Sequence, residues 1–184
     1  MAHAGQILEN PVSGERFLFL RTAADTEGEL LEFDLHLPPD GRVPGRHVHP
    51  YQDERFEVLS GTMRFEQGRD TFVARRGETV VIPAGAVHTL ENAGDREAVV
   101  RVQVRPAMKM EQLFETVIGL ADKGTPKALD LALVAREYKD EIKAPFPRRM
   151  IELVATVPLA FIARRRGRRY DRRGTLLPMP ATRG

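Results

Sequence analysis

The feature that most constrains the fold is a series of short segments, between about residues 15 and 105, in which apolar and polar residues alternate. In LLEFDLHL (30–37), leucine and phenylalanine fill every second position from 31 onward, so one face of an extended strand would be apolar. Glycines and the PPDG at 38–41 fall between the segments, where turns need them. The pattern predicts an antiparallel β-sandwich or barrel with candidate strands at 15–21, 28–37, 46–49, 54–60, 62–67, 70–75, 78–83, 86–91 and 97–105.

After Pro106 the apolar period changes from two to about 3.6, which predicts helices. Stripes at 110–120 and 129–134 are separated by a GTP turn, and a third apolar segment at 150–163 is broken by Pro158. We therefore expect a β-domain at 1–106 and a helical extension at 107–166. A basic, flexible tail is expected at 167–184.

Composition limits the chemistry that this chain can carry. There is no cysteine, so disulfides, thiolate metal sites and cysteine nucleophiles are excluded, and any metal must be held by histidine and carboxylate. The N-terminal residues lack the pattern of a secretory signal, and no apolar run reaches the roughly 18 residues needed to span a bilayer. We expect a cytoplasmic protein without a transmembrane segment.

The stretch GRHVHPYQDERFEVLSG (45–61) carries the clearest candidate site. His47 and His49 are two positions apart, so an extended strand would point both imidazoles to the same side. Glu54 is in phase with the apolar Phe56, and an inward carboxylate in an apolar interior is costly unless a positive partner compensates it. His88 follows a turn in GETVVIPAGAVHTLEN (77–92), and hairpin pairing would bring it opposite the first two histidines.

Both stretches resemble the two sequence motifs of the cupin superfamily. The first motif is matched at Gly41, His47, His49, Glu54 and Gly61 with the family's spacing. The second motif is matched at Gly77, Pro83, Gly85, His88 and Asn92, also with its spacing. The resemblance covers about residues 28–105, and the helical part looks like the C-terminal extension of some bacterial single-domain cupins.

This resemblance implies a mainly β protein: a cupin jelly-roll β-barrel, or double-stranded β-helix, with two or three C-terminal α-helices. It implies that His47, His49, Glu54 and His88 are the metal ligands, that the glycines, Pro83 and Asn92 are structural, and that the protein is a homodimer. Nitrogen and carboxylate donors suit one divalent transition metal per chain, and Fe, Mn, Ni, Co, Zn and Cu all remain open. No catalytic residue and no organic cofactor site can be identified from the sequence.

Four protein ligands leave one or two positions open on an ion that accepts five or six, which favours a site that binds a further molecule. The residues predicted to face inward are apolar, so an apolar or aromatic small molecule is the expected guest. An open redox metal of this kind would suit a quercetinase-like mononuclear dioxygenase, an oxidoreductase. A non-catalytic cupin that binds or senses a small molecule is the alternative.

A third hypothesis gives the main role to the basic tail, because residues 164–184 hold eight arginines and one aspartate. Such a tail could contact nucleic acid or an anionic membrane. A solvated helix end explains the same residues, and there is no helix-turn-helix signature, so nucleic-acid binding is not expected.

Overall fold

The computed structural model describes residues 2–43, 45–122, 124 and 127–145. Within these ranges the chain is mainly β, as the alternation predicts. The strands are β1 (Ile7–Glu9), β2 (Arg16–Arg21), β3 (Leu31–Leu37), β4 (Asp53–Ser60), β5 (Thr62–Gln67), β6 (Asp70–Arg75), β7 (Thr79–Ile82), β8 (His88–Asn92) and β9 (Ala98–Arg105). The helices are α1 (Met110–Ala121) and α2 (Ala128–Glu137).

The strands form two antiparallel sheets that enclose the core. The larger sheet has the order β1-β2-β3-β9-β4-β7, and the smaller has the order β6-β5-β8. The inner faces meet where Phe56 of β4 packs on Phe65 of β5, with ring centroids 5.4 Å apart. Burial of these apolar faces is the main favourable contribution to folding.

Helix α1 packs on the strands of the larger sheet. It contacts inner-face side chains of β2 and β3. The ring of Phe114 lies 4.7 Å from that of Phe17 and 5.3 Å from that of Phe33, measured between centroids. Gln52, which is 1% exposed, donates from Nε2 to the carbonyls of Pro106 and Ala107 and so fixes the start of the helical part beside β4. The helices therefore pack against the same core as the strands.

Three details differ from the sequence prediction. The predicted strand at 46–49 is not a strand: Gly45 has a φ of 60°, so pairing with β8 continues only as isolated bridges. Strand β1 was not predicted, because it is only three residues long. The alternation places Glu32 and Asp34 on the solvent-facing side of β3, but each is only 8% exposed, and they pair with Arg21 and Arg101 respectively.

Two helices are confirmed at the predicted stripes. The predicted third apolar segment at 150–163 and the basic tail at 167–184 lie outside the described residues. The division into a domain at 1–106, an extension at 107–166 and a tail stays a prediction. No helix within the described ranges has the length and apolar character required to cross a membrane.

Candidate metal centre

The four side chains predicted to bind metal come together at one place inside the fold. Their candidate ligand atoms all lie within 4.8 Å of one another, and we call this group the His/Glu cluster (His47, His49, Glu54, His88). Glu54 is the second residue of β4 and pairs with both Ile82 and Val104, so it occupies an interior position of the larger sheet. His88 opens β8 and is opposite His47, as expected, but through an isolated antiparallel bridge between distant segments rather than through a hairpin.

Each imidazole of the cluster has one nitrogen turned to a backbone carbonyl. Nδ1 of His47 lies 3.0 Å from the oxygen of Gly45, Nδ1 of His49 lies 2.5 Å from that of Glu141, and Nδ1 of His88 lies 3.2 Å from that of Ala86. A carbonyl can only accept, so Nδ1 carries a proton, and in the neutral ring Nε2 keeps its lone pair. Metal-binding histidines in proteins are held in this way.

Two atoms of the cluster are buried without a hydrogen-bond partner among the described residues: Oε2 of Glu54 and Nε2 of His88. They lie 2.8 Å apart, and Nε2 of His49 lies 3.5 Å from the same Oε2. When the rings are neutral, two imidazole lone pairs thus face this carboxylate oxygen. A cation at this point would satisfy all of them, so the residues present fit a metal ion.

The electrostatics of the cluster favour the protonation states that a metal requires. Burial would raise the pKa of Glu54, but the neighbouring His49, His88 and His47 outweigh it and lower that pKa to about 2. Burial, together with His88 and His49, lowers the pKa of His47 to about 4. Near neutral pH the carboxyl is therefore ionised and His47 is neutral, as metal binding requires.

An apolar cavity of about 430 Å³ adjoins the His/Glu cluster, and we call it the chamber. The aromatic rings of Phe17, Phe33, Phe56 and Phe114 stand in its wall together with aliphatic side chains. The aliphatic members are Leu35, Val43, Leu90, Val102, Met110, Leu113, Val117, Ile118, Leu131, Val134, Ala135, Ile142 and Ala144. The predicted apolar guest space is thus present, and α1 and α2 form a large part of its wall.

The segment after α2 returns to the cluster and holds one of its rings. Val48 and Lys143 exchange two backbone hydrogen bonds of 2.9 Å, which places the carbonyl of Glu141 against Nδ1 of His49. The side chains of His49 and Glu141 are buried at 4% and 3% exposure. No motif in the sequence indicated that a segment 92 residues away would orient His49.

Two further motif residues, Asn92 and Gly61, make contacts that hold turns in place. Asn92 donates from Nδ2 to the carbonyls of Leu37, Pro38 and Arg96 and thereby fixes the turn after β3. Gly61 has a φ of 81°, and a Cβ there would lie 2.8 Å from the Cβ of Ala98, so no larger residue fits.

Two charged side chains of β4, Arg55 and Glu57, face away from the cluster. Arg55 and Glu57 alternate with the buried Glu54 and Phe56 along β4, and they pair with each other at 3.2 Å. They form no part of the chamber wall.

One functional candidate was missed by the sequence reasoning, which found no second ionisable group facing inward. Glu15 lines the chamber and is 5% exposed. Burial raises its pKa, and hydrogen bonds with Asn10 and Ser13 offset that shift in part. The signal was present in the sequence, because Glu15 is in phase with Phe17 and Phe19 at the start of the predicted strand 15–21.

The chain was compared with protein families and with solved structures, and both comparisons found similar proteins. Residues 33–104 match the family of cupin domains. The solved structure of a predicted oxalate decarboxylase from Thermotoga maritima has a TM-score of 0.51 and 18% identity, covering 58% of this chain and 98% of that one. At that identity the likeness shows the fold alone, and it confirms the jelly-roll architecture that the motifs implied.

Two curated proteins share shorter stretches with this chain. Mannose-1-phosphate guanylyltransferase RfbM of Salmonella typhimurium is 38% identical over 47 residues, which is 26% of this chain and 10% of that protein. Polyketide synthase CurC of Streptomyces cyaneus is 33% identical over 60 residues, which is 33% of this chain and 38% of that protein. The chain thus spans only a minor part of the length of either relative.

The raised pKa of Glu15 predicts how the free energy of unfolding depends on pH. A buried carboxyl with a raised pKa favours folding below its unfolded value of 4.5, and this contribution is lost as pH rises through the folded value. Wild type should therefore lose stability relative to Glu15→Gln between pH 4 and pH 7. Urea unfolding of both proteins at each pH measures the difference, to which all other groups contribute equally. A difference that does not change with pH would contradict the burial of this carboxyl.

Proposed function

Because residues 33–104 are a cupin domain with a buried His/Glu cluster beside an apolar chamber, we propose that the chain binds one divalent transition metal and uses it on a small apolar or aromatic molecule. The ligands in this proposal are His47, His49, Glu54 and His88. The observation that carries it is the continuity of the chamber with the cluster, since all four side chains line the cavity. A purely structural site has no need of such a space.

The reaction that we propose is a quercetinase-like dioxygenase reaction. When bound, the metal would supply a Lewis-acidic and redox-capable centre with one or two positions open to exogenous ligands. The phenylalanine rings and aliphatic side chains of the chamber would exclude water and hold an apolar ring system by burial. An open position on the metal would take the oxygen of an enolate or a catecholate.

The identities of the relatives bear on the substrate class. The name of one curated relative is that of a polyketide synthase, and we propose the apolar chamber wall as a site for a molecule of that class. The name of the other points to a sugar phosphate, whose hydroxyl and phosphate groups would need many more polar partners than this wall provides. The apolar lining therefore favours the first class.

A non-catalytic cupin that binds or senses a small molecule is the second candidate. Its support is that, outside the His/Glu cluster, the only ionisable side chains among the described residues of the chamber wall are Glu15, Arg46 and Lys143. A metal in an apolar pocket can bind a ligand without converting it. A cytoplasmic location and a homodimer remain predictions in either case.

Oxygen uptake distinguishes the two candidates. Protein loaded with Fe(II) or Ni(II) should consume oxygen in proportion to substrate loss with at least one member of a panel of flavonols, catechols and β-diketones. The metal-free protein and a Glu54→Ala variant serve as controls and should show no uptake. Ligand-induced thermal stabilisation with neither oxygen uptake nor product would contradict the dioxygenase proposal and favour the binding protein.

The contact between Glu141 and His49 predicts that the segment after α2 controls metal affinity. Lys143→Pro removes the amide that donates to Val48 and should release the carbonyl from Nδ1 of His49. Loss of such an outer hydrogen bond typically weakens metal binding 10- to 100-fold, and we expect about tenfold weaker Co(II) binding by visible absorption.

The matched control is Lys143→Ala, which keeps the amide and removes only the side chain. Its Co(II) affinity should stay within about twofold of wild type. Equal weakening in both variants would assign the effect to the lysine charge and contradict the proposed role of the backbone.

A further inference from the structure

The side chain of Tyr138 joins the C-terminal end of α2 to the middle of α1. Tyr138 follows α2 directly and is 7% exposed. Its hydroxyl lies 2.8 Å from Oγ1 of Thr116 and 3.1 Å from the carbonyl oxygen of Gln112, both on α1. Thr116 is also buried, and its Oγ1 donates to the same carbonyl at 2.7 Å. A buried pair of hydroxyls therefore ties the two helices together.

Helix α2 depends on such a tie, because little of the helix is buried. Of its ten residues only Asp130 and Ala132 are buried, whereas α1 buries seven of twelve. The side chains of α2 that line the chamber stay partly accessible: Leu131 is 52% exposed, and Val134 and Ala135 are half-buried. A helix that bounds a cavity gains less from apolar burial than a helix in a packed core. Its position therefore depends more on the polar contacts at its ends.

The same tyrosine shapes the turn that reaches His49. The carbonyl of Tyr138 accepts hydrogen bonds of 3.1 and 3.0 Å from the amides of Glu141 and Ile142 respectively. Glu141 then places its own carbonyl oxygen 2.5 Å from Nδ1 of His49. A hydrogen bond weakens steeply as its angle departs from linear. A shift of Tyr138 would therefore misplace the carbonyl that holds this imidazole.

We propose that Tyr138 is a positioning residue for the metal centre. Its hydroxyl holds the end of α2 on α1, and the turn that begins at its carbonyl keeps the Glu141 carbonyl on His49. The wall that α2 adds to the chamber and the orientation of a metal ligand thus depend on one side chain. Because coupling of this kind is reciprocal, a bound metal favours the attached segment over the detached one. The inference rests on the proposed function for the presence of the metal.

Amide hydrogen exchange measures the attachment without metal. The amides of Val48 and Lys143 each donate to the other residue's carbonyl, so their exchange reports how often the segment after α2 opens. Tyr138→Phe removes the hydroxyl and keeps the ring. In chelator-treated protein both amides should then exchange about fivefold faster, the size expected for one buried hydrogen bond. Thr116→Val removes the partner hydroxyl and should give the same increase, while amides within β9 keep their wild-type rates.

Co(II) binding separates a positioning role from a purely structural one. Saturating Co(II) should slow exchange of the same two amides about tenfold in wild type, and Tyr138→Phe should bind Co(II) about fivefold more weakly. In a protein that already carries Lys143→Pro, adding Tyr138→Phe should weaken binding no further, because both changes act through the Glu141 carbonyl. Tyr51→Phe is the matched control: its ring is 59% exposed and lies 5.9 Å from Nζ of Lys143. This variant should stay within about twofold of wild type in exchange and in Co(II) affinity.

Wild-type exchange rates in Tyr138→Phe would overturn the inference, and so would equal weakening of Co(II) binding in Tyr51→Phe. Additive weakening in the double variant would assign Tyr138 to general packing and overturn it too. The outcome for wild type separates this inference from the metal proposal. A wild type that binds no Co(II) contradicts the proposed function, and the inference fails with it. A wild type that binds Co(II) no more tightly than Tyr138→Phe contradicts only the role of Tyr138.

Discussion

The carboxylate of Glu54 sits in the interior of the larger sheet, where its Oε2 faces the Nε2 atoms of His88 and His49 at 2.8 and 3.5 Å. Backbone carbonyls occupy the Nδ1 positions of all three histidines, so each ring in its neutral form presents an Nε2 lone pair rather than a proton on its other side. A buried anion surrounded by lone pairs is unfavourable unless a cation joins it. The rest of the site is arranged around this requirement.

Two parts of the chain meet that requirement together. The jelly-roll strands place Glu54 and His88 by register, because both stand at inward positions of paired strands. The helical part adds what the strands lack: the Glu141 carbonyl that orients His49, and the α1 and α2 side chains that close the chamber. The helical part both orients His49 and lines the chamber. Metal binding and ligand binding are therefore expected to be coupled through it.

The chamber determines what such a centre can act on. Its phenylalanine rings and aliphatic groups favour an apolar body next to the His/Glu cluster. Under the proposed function, the substrate presents an apolar body to this wall and a metal-binding group to the cluster. This distinguishes the site from one built for sugars or small dicarboxylates, which would need donors and acceptors along its whole length.

The sequence predicted the parts of this structure that depend on local periodicity. Alternation in β3, β4 and β9 gave their positions within a few residues, and the phase of Glu54 with Phe56 gave its inward direction. It could not give the contact between His49 and Glu141, because that pairing depends on how the chain returns after α2. It also overestimated the strand at 46–49, where the φ of Gly45 interrupts pairing. The same alternation could have predicted that Glu15 faces inward. That Glu15 lines the chamber depends on how α1 packs, which the alternation does not give.

Elemental analysis of protein purified without added metal tests the central claim most directly, when wild type is compared with His47→Ala and Glu54→Ala. The cluster predicts about one equivalent of a divalent transition metal per chain in wild type and its loss in both variants, with the fold retained by circular dichroism. Stoichiometric metal that survives both substitutions, or a wild type that neither carries nor takes up such a metal, would contradict the account.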